Sequence, residues 1–294
     1  MAPLTTVPCM IAFLGMGLLG SNFTRALRLG GHEVNVWNRS PAKAQAVAAE
    51  TGASAFTDPA EAVRGAARVH LTLSDDAAVD DVLERARPGL ASGVVLVDHT
   101  TTTASGTKER ILRWKERGVD FVHAPVFMGP QNAREASGIM LVSGDTAPLD
   151  RVRPALEAMT GKLVYTGPRP ESAASMKLLG NMFLMFLTSG LADMLSLAKA
   201  LEVAPADAAA LFEYFNPGAT VGARMARMMS GNYSEPSWEL AMARKDARLM
   251  QEEAARAGVP LAVLPAIARR MDEVIAEGHA HADWTVLGKD ALAK

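Results

Sequence analysis

The segment Gly15-Met16-Gly17-Leu18-Leu19-Gly20 constrains the fold of this chain more than any other. It matches G-x-G-x-x-G, a pattern that is weak alone. Its surroundings make it specific: Met10–Leu14 reads as an apolar strand before it, and Leu18–Leu29 reads as a helix after it. Gly15 permits the tight turn, Gly17 lets an anion approach the backbone, and Gly20 lets the helix pack closely on the strand. The helix start offers free N–H groups and the positive end of the helix dipole. With Met16, Leu18 and Leu19 completing the turn, the segment is expected to cradle the pyrophosphate of a dinucleotide.

The pattern around this turn repeats. Further strand-like runs are Glu33–Trp37, Arg68–Leu73, Val94–Val97, Val119–Val122, Ile139–Val142 and Lys162–Thr166. Helix-like stretches near 18–29, 41–50, 76–86, 103–116 and 147–158 lie between them. Strands that alternate with helices of about ten residues imply crossover units and a parallel sheet. After Gly167 the alternation stops. Pro168 and Pro170 mark a short linker, a long helical pattern starts near Glu171, and no strand is expected from there to Lys294. The chain therefore reads as an α/β Rossmann domain, residues 1–168, followed by an all-α domain, residues 169–294, joined by a long interdomain helix.

The end of the second strand reports on the dinucleotide. An NAD site usually places Asp or Glu there, to bind the ribose hydroxyls. Here the chain reads Trp37-Asn38-Arg39-Ser40, with no carboxylate to repel a 2′-phosphate. Arg39 can pair with that phosphate and stack on the adenine, and Asn38 and Ser40 can donate hydrogen bonds. NADP(H) is expected over NAD(H).

In the helical part, Lys177 and Asn181 are spaced i, i+4 and share one helix face among Met176, Leu178, Leu179, Met182 and Phe183. A lysine in such surroundings is either covered by protein or aimed into a cleft. A second cation, Lys245 beside Asp246, lies on the amphipathic stretch Trp238–Ala255, where a solvated ion pair is the simplest reading.

Charge and composition exclude several classes. Lys plus Arg is 30 and Asp plus Glu is 32, a net charge of −2, which argues against nucleic acid as the main partner. The lone Cys9 rules out an intrachain disulfide and fits a reducing cytoplasm. No metal is expected, because His279-x-His281 has no accompanying cluster. The N-terminal MAPLTTVPCM lacks a basic segment and does not read as a secretory signal. Leu178–Ala192 is the most lipid-like stretch. It falls short of the about 20 residues needed to span a bilayer, so no membrane partner is expected, and it reads as a helix buried in protein.

Taken in order, the glycine turn, Asn38-Arg39-Ser40, Ala124-Pro125-Val126, Lys177 with Asn181, and Lys245-Asp246 resemble the β-hydroxyacid dehydrogenases over nearly the whole chain, from about residue 10 to 290. The resemblance implies a small-molecule substrate in a cleft between the domains and a homodimer formed through the helical domain. It implies that Lys177 is the general acid/base, that Asn181 orients the substrate, and that Lys245, oriented by Asp246, lies near nicotinamide and substrate. Thr100 and Thr101 match a Ser-Thr pair beside the nicotinamide, and Leu73-Ser74 matches a loop that touches the cofactor ribose. The implied reaction is hydride transfer between NADP(H) and a small hydroxy acid or semialdehyde carbonyl.

One segment departs from the family pattern. Where members read Asp-Ala-Pro-Val-Ser-Gly-Gly, this chain reads His123-Ala124-Pro125-Val126-Phe127-Met128-Gly129. Phe127 and Met128 take the places of residues that bind a substrate carboxylate, so a larger or more apolar substrate, or anchoring through Gln131 or Asn132, is expected. The glycines usual before the lysine are replaced by Ser172-Ala173-Ala174-Ser175. His99 and His123 fall at strand ends on the side of the expected cleft, although a core position is the commoner fate of such histidines. Two alternatives remain open: an NADPH-dependent reductase of imines or bulky carbonyls, and a non-catalytic NADP-binding protein.

Overall fold

The computed structural model describes residues 9–292. The absence of a secretory signal was read mainly from residues 1–8, which lie outside this range. The chain divides into two compact units, residues 1–181 and 182–294.

The first unit holds β1 (Met10–Leu14), α1 (Leu18–Leu29), β2 (Glu33–Trp37), α2 (Pro41–Thr51), β3 (Ser54–Phe56), α3 (Pro59–Ala62), β4 (Arg68–Leu71) and α4 (Asp76–Ala86). It continues through β5 (Val95–Asp98), α5 (Ala104–Glu116), β6 (Asp120–His123), β7 (Val126–Phe127), α6 (Pro130–Arg134), β8 (Ile139–Val142), α7 (Thr146–Glu157) and β9 (Lys162–Tyr165). The division between the units falls within α8 (Ser172–Ala200). The second unit adds α9 (Pro205–Tyr214), α10 (Val221–Ser230), α11 (Leu240–Arg256) and α12 (Leu264–Val274).

Six parallel strands run in the order β3-β2-β1-β4-β5-β6. The strands are mostly buried because helices cover both faces of such a sheet. In β1, Ile11, Ala12, Phe13 and Leu14 are all fully buried. The chain leaves β1 for β2 on one side and later returns to β4 on the other, so a crevice opens at the carboxyl end of β1. The expected single parallel sheet needs one correction. β8 and β9 do not join it but form a second, three-stranded sheet, β7-β8-β9, in which β7 runs antiparallel to β8. Pro125, just past β6, lacks a ladder N–H, which helps end pairing there.

His99 and His123 also need correction. Both are buried, and His99 is a core residue. Its ring stacks with Phe23 and His70, at centroid distances of 5.3 and 5.2 Å. Its Nδ1 lies 2.8 Å from the Ala124 carbonyl and its Nε2 lies 2.9 Å from His70 Nδ1, while Arg68 Nε donates to His70 Nε2 at 3.2 Å. A single direction of donation, Arg68 to His70 to His99 to Ala124, satisfies every one of these atoms with both imidazoles neutral. Burial pushes His99 down to about 4, which keeps it in that state. His123 lies opposite Asp98 in register, with Nδ1 at 3.6 Å from Asp98 Oδ2.

The second unit packs α11 and α12 with the turn Trp284–Ala291 around Leu240, Ala243, Met271, Val274 and Val286. Asp193, on α8, accepts the N–H groups of Ala262, Val263 and Leu264 at 2.6–2.9 Å and so caps the start of α12. The reading of Leu178–Ala192 as a stretch too short to span a bilayer and buried in protein is corrected on both points. α8 has 29 residues, is long and apolar enough to cross a membrane by length and composition, and has none of that stretch buried within the chain. Leu184, Met185 and Phe186 are 50%, 68% and 60% exposed.

Candidate functional site

The glycine turn lies at the carboxyl end of β1. Gly15 has a φ of +105°, and a Cβ there would sit 2.1 Å from the Thr72 carbonyl oxygen. A Cβ on Gly20 would sit 1.9 Å from the Gly15 carbonyl oxygen, so the first turn of α1 packs directly on the loop backbone. Thr72 Oγ1 fixes this contact by donating to the same Gly15 carbonyl at 2.9 Å. Gly17 is different: a Cβ there would meet nothing within 4 Å. It faces open space at the start of a 12-residue helix that has no side-chain cap and no acidic residue in its first turn. Those uncapped N–H groups and that open approach fit a phosphate group.

A cavity of about 260 Å³ continues from this turn, lined among others by Gly15, Gly17, Asn38, Arg39, Leu73 and Ser74. Five of the residues assigned to the dinucleotide from sequence thus meet Gly15 in one cavity. Leu18 is exposed at its mouth, Leu19 is half-buried, and Met16 is buried. Asn38 serves the loop itself: its Oδ1 accepts from Met16 N at 3.0 Å and its Nδ2 donates to the Ser40 carbonyl at 3.0 Å. Arg39 and Ser40 are exposed. Two lining residues, Asp81 and Arg85 on α4, were missed by the sequence reading. Arg85 lies over the Trp37 ring, its guanidinium carbon 5.4 Å from the centroid, and its Nη1 is 3.6 Å from Asp81 Oδ2. Their only sequence signal was an i, i+4 pair, which does not reveal that α4 borders the end of β2.

Thr100 and Thr101 follow β5. Thr100 is buried and its Oγ1 accepts from Leu73 N at 2.9 Å, while its own N–H donates to Asp98 Oδ1 at 2.9 Å. Thr100 therefore ties the β4 and β5 loops together, and Thr101 is exposed.

A second cluster forms where α8 begins. Ser143 holds the helix start: its Oγ donates to the Pro170 carbonyl and accepts from Ala173 N, at 2.9 and 3.0 Å. Ala173 and Ala174 are buried, so the Ser172–Ser175 run is a close-packed helix start. One turn on, Lys177 Nζ donates to Asn181 Oδ1 at 2.9 Å and lies 4.2 Å from the centroid of the Phe127 ring. Lys177 is half-buried, and burial holds its ammonium below the usual lysine range. The structure thus brings together Lys177, Asn181 and Phe127. It adds Gly180, which sequence reasoning passed over: a Cβ there would sit 2.3 Å from Phe127 Cζ. A lone glycine inside an apolar helix costs about 1 kcal/mol relative to alanine, and that cost was the available signal.

Asn132 and Gln131, expected as alternative anchors, each use one amide hydrogen within their own loop. Gly129 N donates to Asn132 Oδ1 at 2.9 Å, Asn132 Nδ2 donates to Ser137 Oγ at 3.0 Å, and Gln131 Nε2 donates to Glu135 Oε1 at 2.9 Å. These bonds hold the loop's own shape. In the second unit, Lys245 Nζ pairs with the adjacent Asp246 Oδ1 at 2.9 Å on α11, and both side chains are partly exposed.

Comparison with known proteins agrees with this geometry. Residues 10–167 match the family described as the NAD binding domain of 6-phosphogluconate dehydrogenase. Residues 172–289 match the NAD-binding family of NADP-dependent 3-hydroxyisobutyrate dehydrogenase. A probable 3-hydroxyisobutyrate dehydrogenase of Mycobacterium bovis is 29% identical, over 94% of this chain and 96% of its own. Among solved structures, an imine reductase of Streptomyces aurantiacus is 26% identical with a TM-score of 0.84, covering 97% of this chain and 100% of that one. An imine reductase of a Pseudomonas species shares the fold at a TM-score of 0.85 and 23% identity, over 97% of this chain and 100% of its own.

Proposed function

The chain belongs to the β-hydroxyacid dehydrogenase family of NAD(P)-dependent oxidoreductases, and we propose that it uses NADP(H) to interconvert a carbonyl compound and its alcohol, with Lys177 as the proton donor and acceptor. Small hydroxy acids and semialdehydes fall within that class. The dinucleotide, when bound, supplies or accepts the hydride at the carbonyl carbon. The residues suited to hold it are those of the glycine turn, Arg39 and Ser40, with Leu73, Ser74, Thr100 and Thr101 toward the nicotinamide. As hydride reaches the carbon, negative charge grows on the oxygen, and Lys177 gives it a proton; in the reverse direction Lys177 takes the proton back. Asn181 holds the ammonium by accepting one of its hydrogens.

The observation that carries this reading is the half-buried Lys177, held by Asn181 and lowered by burial toward the range where an amine can exchange a proton. NADPH consumption with a panel of aldehydes, hydroxy acids and cyclic imines tests it. Turnover of carbonyls supports the proposal. Turnover of imines alone supports the second reading, favoured by the aromatic ring under Lys177 and by the likeness to an imine reductase. NADPH binding without any turnover makes the chain a binding protein.

The preference for NADP(H) rests on Arg39, with Arg85 as a second cation in the same cavity that Asp81 partly neutralises. A charge-assisted contact is worth about 1.5–3 kcal/mol. Arg39→Ala is expected to lower kcat/KM for NADPH by roughly 10- to 100-fold and to leave that for NADH within about twofold. Equal losses with both cofactors would remove the 2′-phosphate contact from Arg39.

The homodimer is proposed through the helical part, where α8 exposes Met185 and Phe186 and α10 exposes Met225 and Met229. Exposed apolar surface of this amount marks an interaction face, and Asp193 anchors this stretch of α8 to the start of α12. The solution mass by light scattering is expected at twice 31.1 kDa; a monomer at micromolar concentration would refute it.

A further inference from the structure

The tip of the Phe127 ring packs against Gly180 on α8. Its Cζ occupies the place where residue 180 would carry a Cβ, so only glycine admits the ring there. Residues 177, 180 and 181 share one face of the helix, and the ring extends from Gly180 to beneath the Lys177 ammonium, 4.2 Å from its centroid. A cation over an aromatic face is attracted by the ring's quadrupole, and more strongly when desolvated. Phe127 therefore helps aim Lys177 and also forms the wall next to it. That wall has no hydrogen-bond donor of its own. Met128 adds a thioether, Pro130 has no N–H, and the Gly129 N–H is taken by Asn132 Oδ1. Asn132 and Gln131 each give one amide hydrogen to Ser137 and Glu135. A carboxylate placed against the Phe127 ring and the Met128 thioether would lose water and gain no hydrogen bond from those side chains, which is unfavourable. An alkyl or aryl group would meet a ring and an adaptable methionine instead.

We propose that Phe127, seated on Gly180, is the specificity-determining residue of this site, and that it selects carbonyl substrates whose flanking groups are alkyl or aryl and carry no carboxylate. The proposal rests on Lys177 being the proton donor. It separates this chain from members of its family that act on small hydroxy acids.

Matched substrate pairs test it with the purified full-length protein and NADPH: butanal with succinic semialdehyde, and benzaldehyde with 4-carboxybenzaldehyde. In the wild type the uncharged member of each pair is expected to be favoured about 100-fold in kcat/KM. Phe127→Ser is expected to narrow that ratio at least about tenfold, mainly through a lower KM for the carboxylate. Gly180→Ala, which displaces the ring, is expected to narrow it as well, and Phe127→Leu, which keeps the wall apolar, to preserve it. A wild type that turns over the carboxylates as well as their partners overturns the proposal, as does an unchanged ratio in both folded ring variants. Loss of all turnover on every pair, with NADPH still bound, overturns the carbonyl reading of the proposed function and this proposal with it.

Discussion

Replacing Lys177 with alanine is expected to lower turnover at least about 10²-fold while the affinity for NADPH stays within about twofold. The two effects separate because the side chains concerned are separate. The cavity that runs from the glycine turn is lined by residues of β1, β2, β4 and α4 and their loops, and Lys177 is not among them. Lys177 instead faces Asn181 and Phe127. The sign of the pH dependence follows from the same group. Burial lowers its pKa from 10.5, and reduction needs the protonated form, so kcat for carbonyl reduction falls as pH rises through that lowered pKa. Alcohol oxidation needs the neutral amine and rises through the same range. Lys177→Arg keeps a cation that can stabilise the growing oxyanion but has no neutral form near neutral pH to accept a proton, so it is expected to spare reduction more than oxidation. Stopped-flow turnover in both directions, with a fluorescence titration of NADPH, reads all of these. Near-normal turnover in Lys177→Ala would take this side chain out of the chemistry.

The parts of this site that could be read from sequence are those built by consecutive residues. The glycine turn is one, because its geometry depends on the φ of Gly15 and on the contact between Gly20 and Gly15, all within one strand–turn–helix unit. Lys177 and Asn181 are another, because i, i+4 spacing suffices to pair them. What failed depended on distant segments meeting. Arg85 reaches the cavity only because β4 pairs with β1 and carries α4 beside the end of β2. β7 has two residues and β3 has three, too few for any periodicity to show. His99 looked like a cleft residue because it is polar and ends a strand. It lies in the core because Arg68, His70 and Ala124, far apart in sequence, supply it with a complete chain of donors and acceptors. The apolar stretch Leu178–Ala192 reads as too short to span a bilayer because Lys177 and Asp193 flank it, but α8 runs through both, from Ser172 to Ala200. Neither residue stops a helix, and Asp193 instead caps α12 from the side.

Asp283 was invisible in the sequence for the same reason, and its removal is expected to be the most destabilising single change in the second unit. Asp283 is fully buried, yet it stays ionised. Burial alone would raise its pKa, but the Thr285 hydroxyl and N–H donate to Oδ1 at 2.6 and 3.0 Å and the Ser237 N–H and hydroxyl donate to Oδ2 at 2.8 Å each. Arg227 adds an ion pair to Oδ2. Together these hold the carboxyl far below its ordinary range. One side chain thus joins α10, the segment before α11 and the turn that begins at Trp284. Asp283→Ala deletes the acceptor for four donors and leaves Arg227 without its partner, at a cost of about 3–5 kcal/mol. Asp283→Asn keeps the shape and part of the accepting capacity and is expected to cost less. Because the folded-state pKa is depressed, the contribution of Asp283 is fully present above the unfolded value of about 3.9 and is lost as pH falls below it, so the gap between wild type and Asp283→Ala should shrink in acid. Denaturant unfolding followed by the fluorescence of Trp238 and Trp284, with Trp37 and Trp114 replaced by phenylalanine, isolates the second unit for this measurement. Equal midpoints for wild type and Asp283→Ala at pH 7 would show that these hydrogen bonds add nothing beyond what water supplies in the unfolded chain.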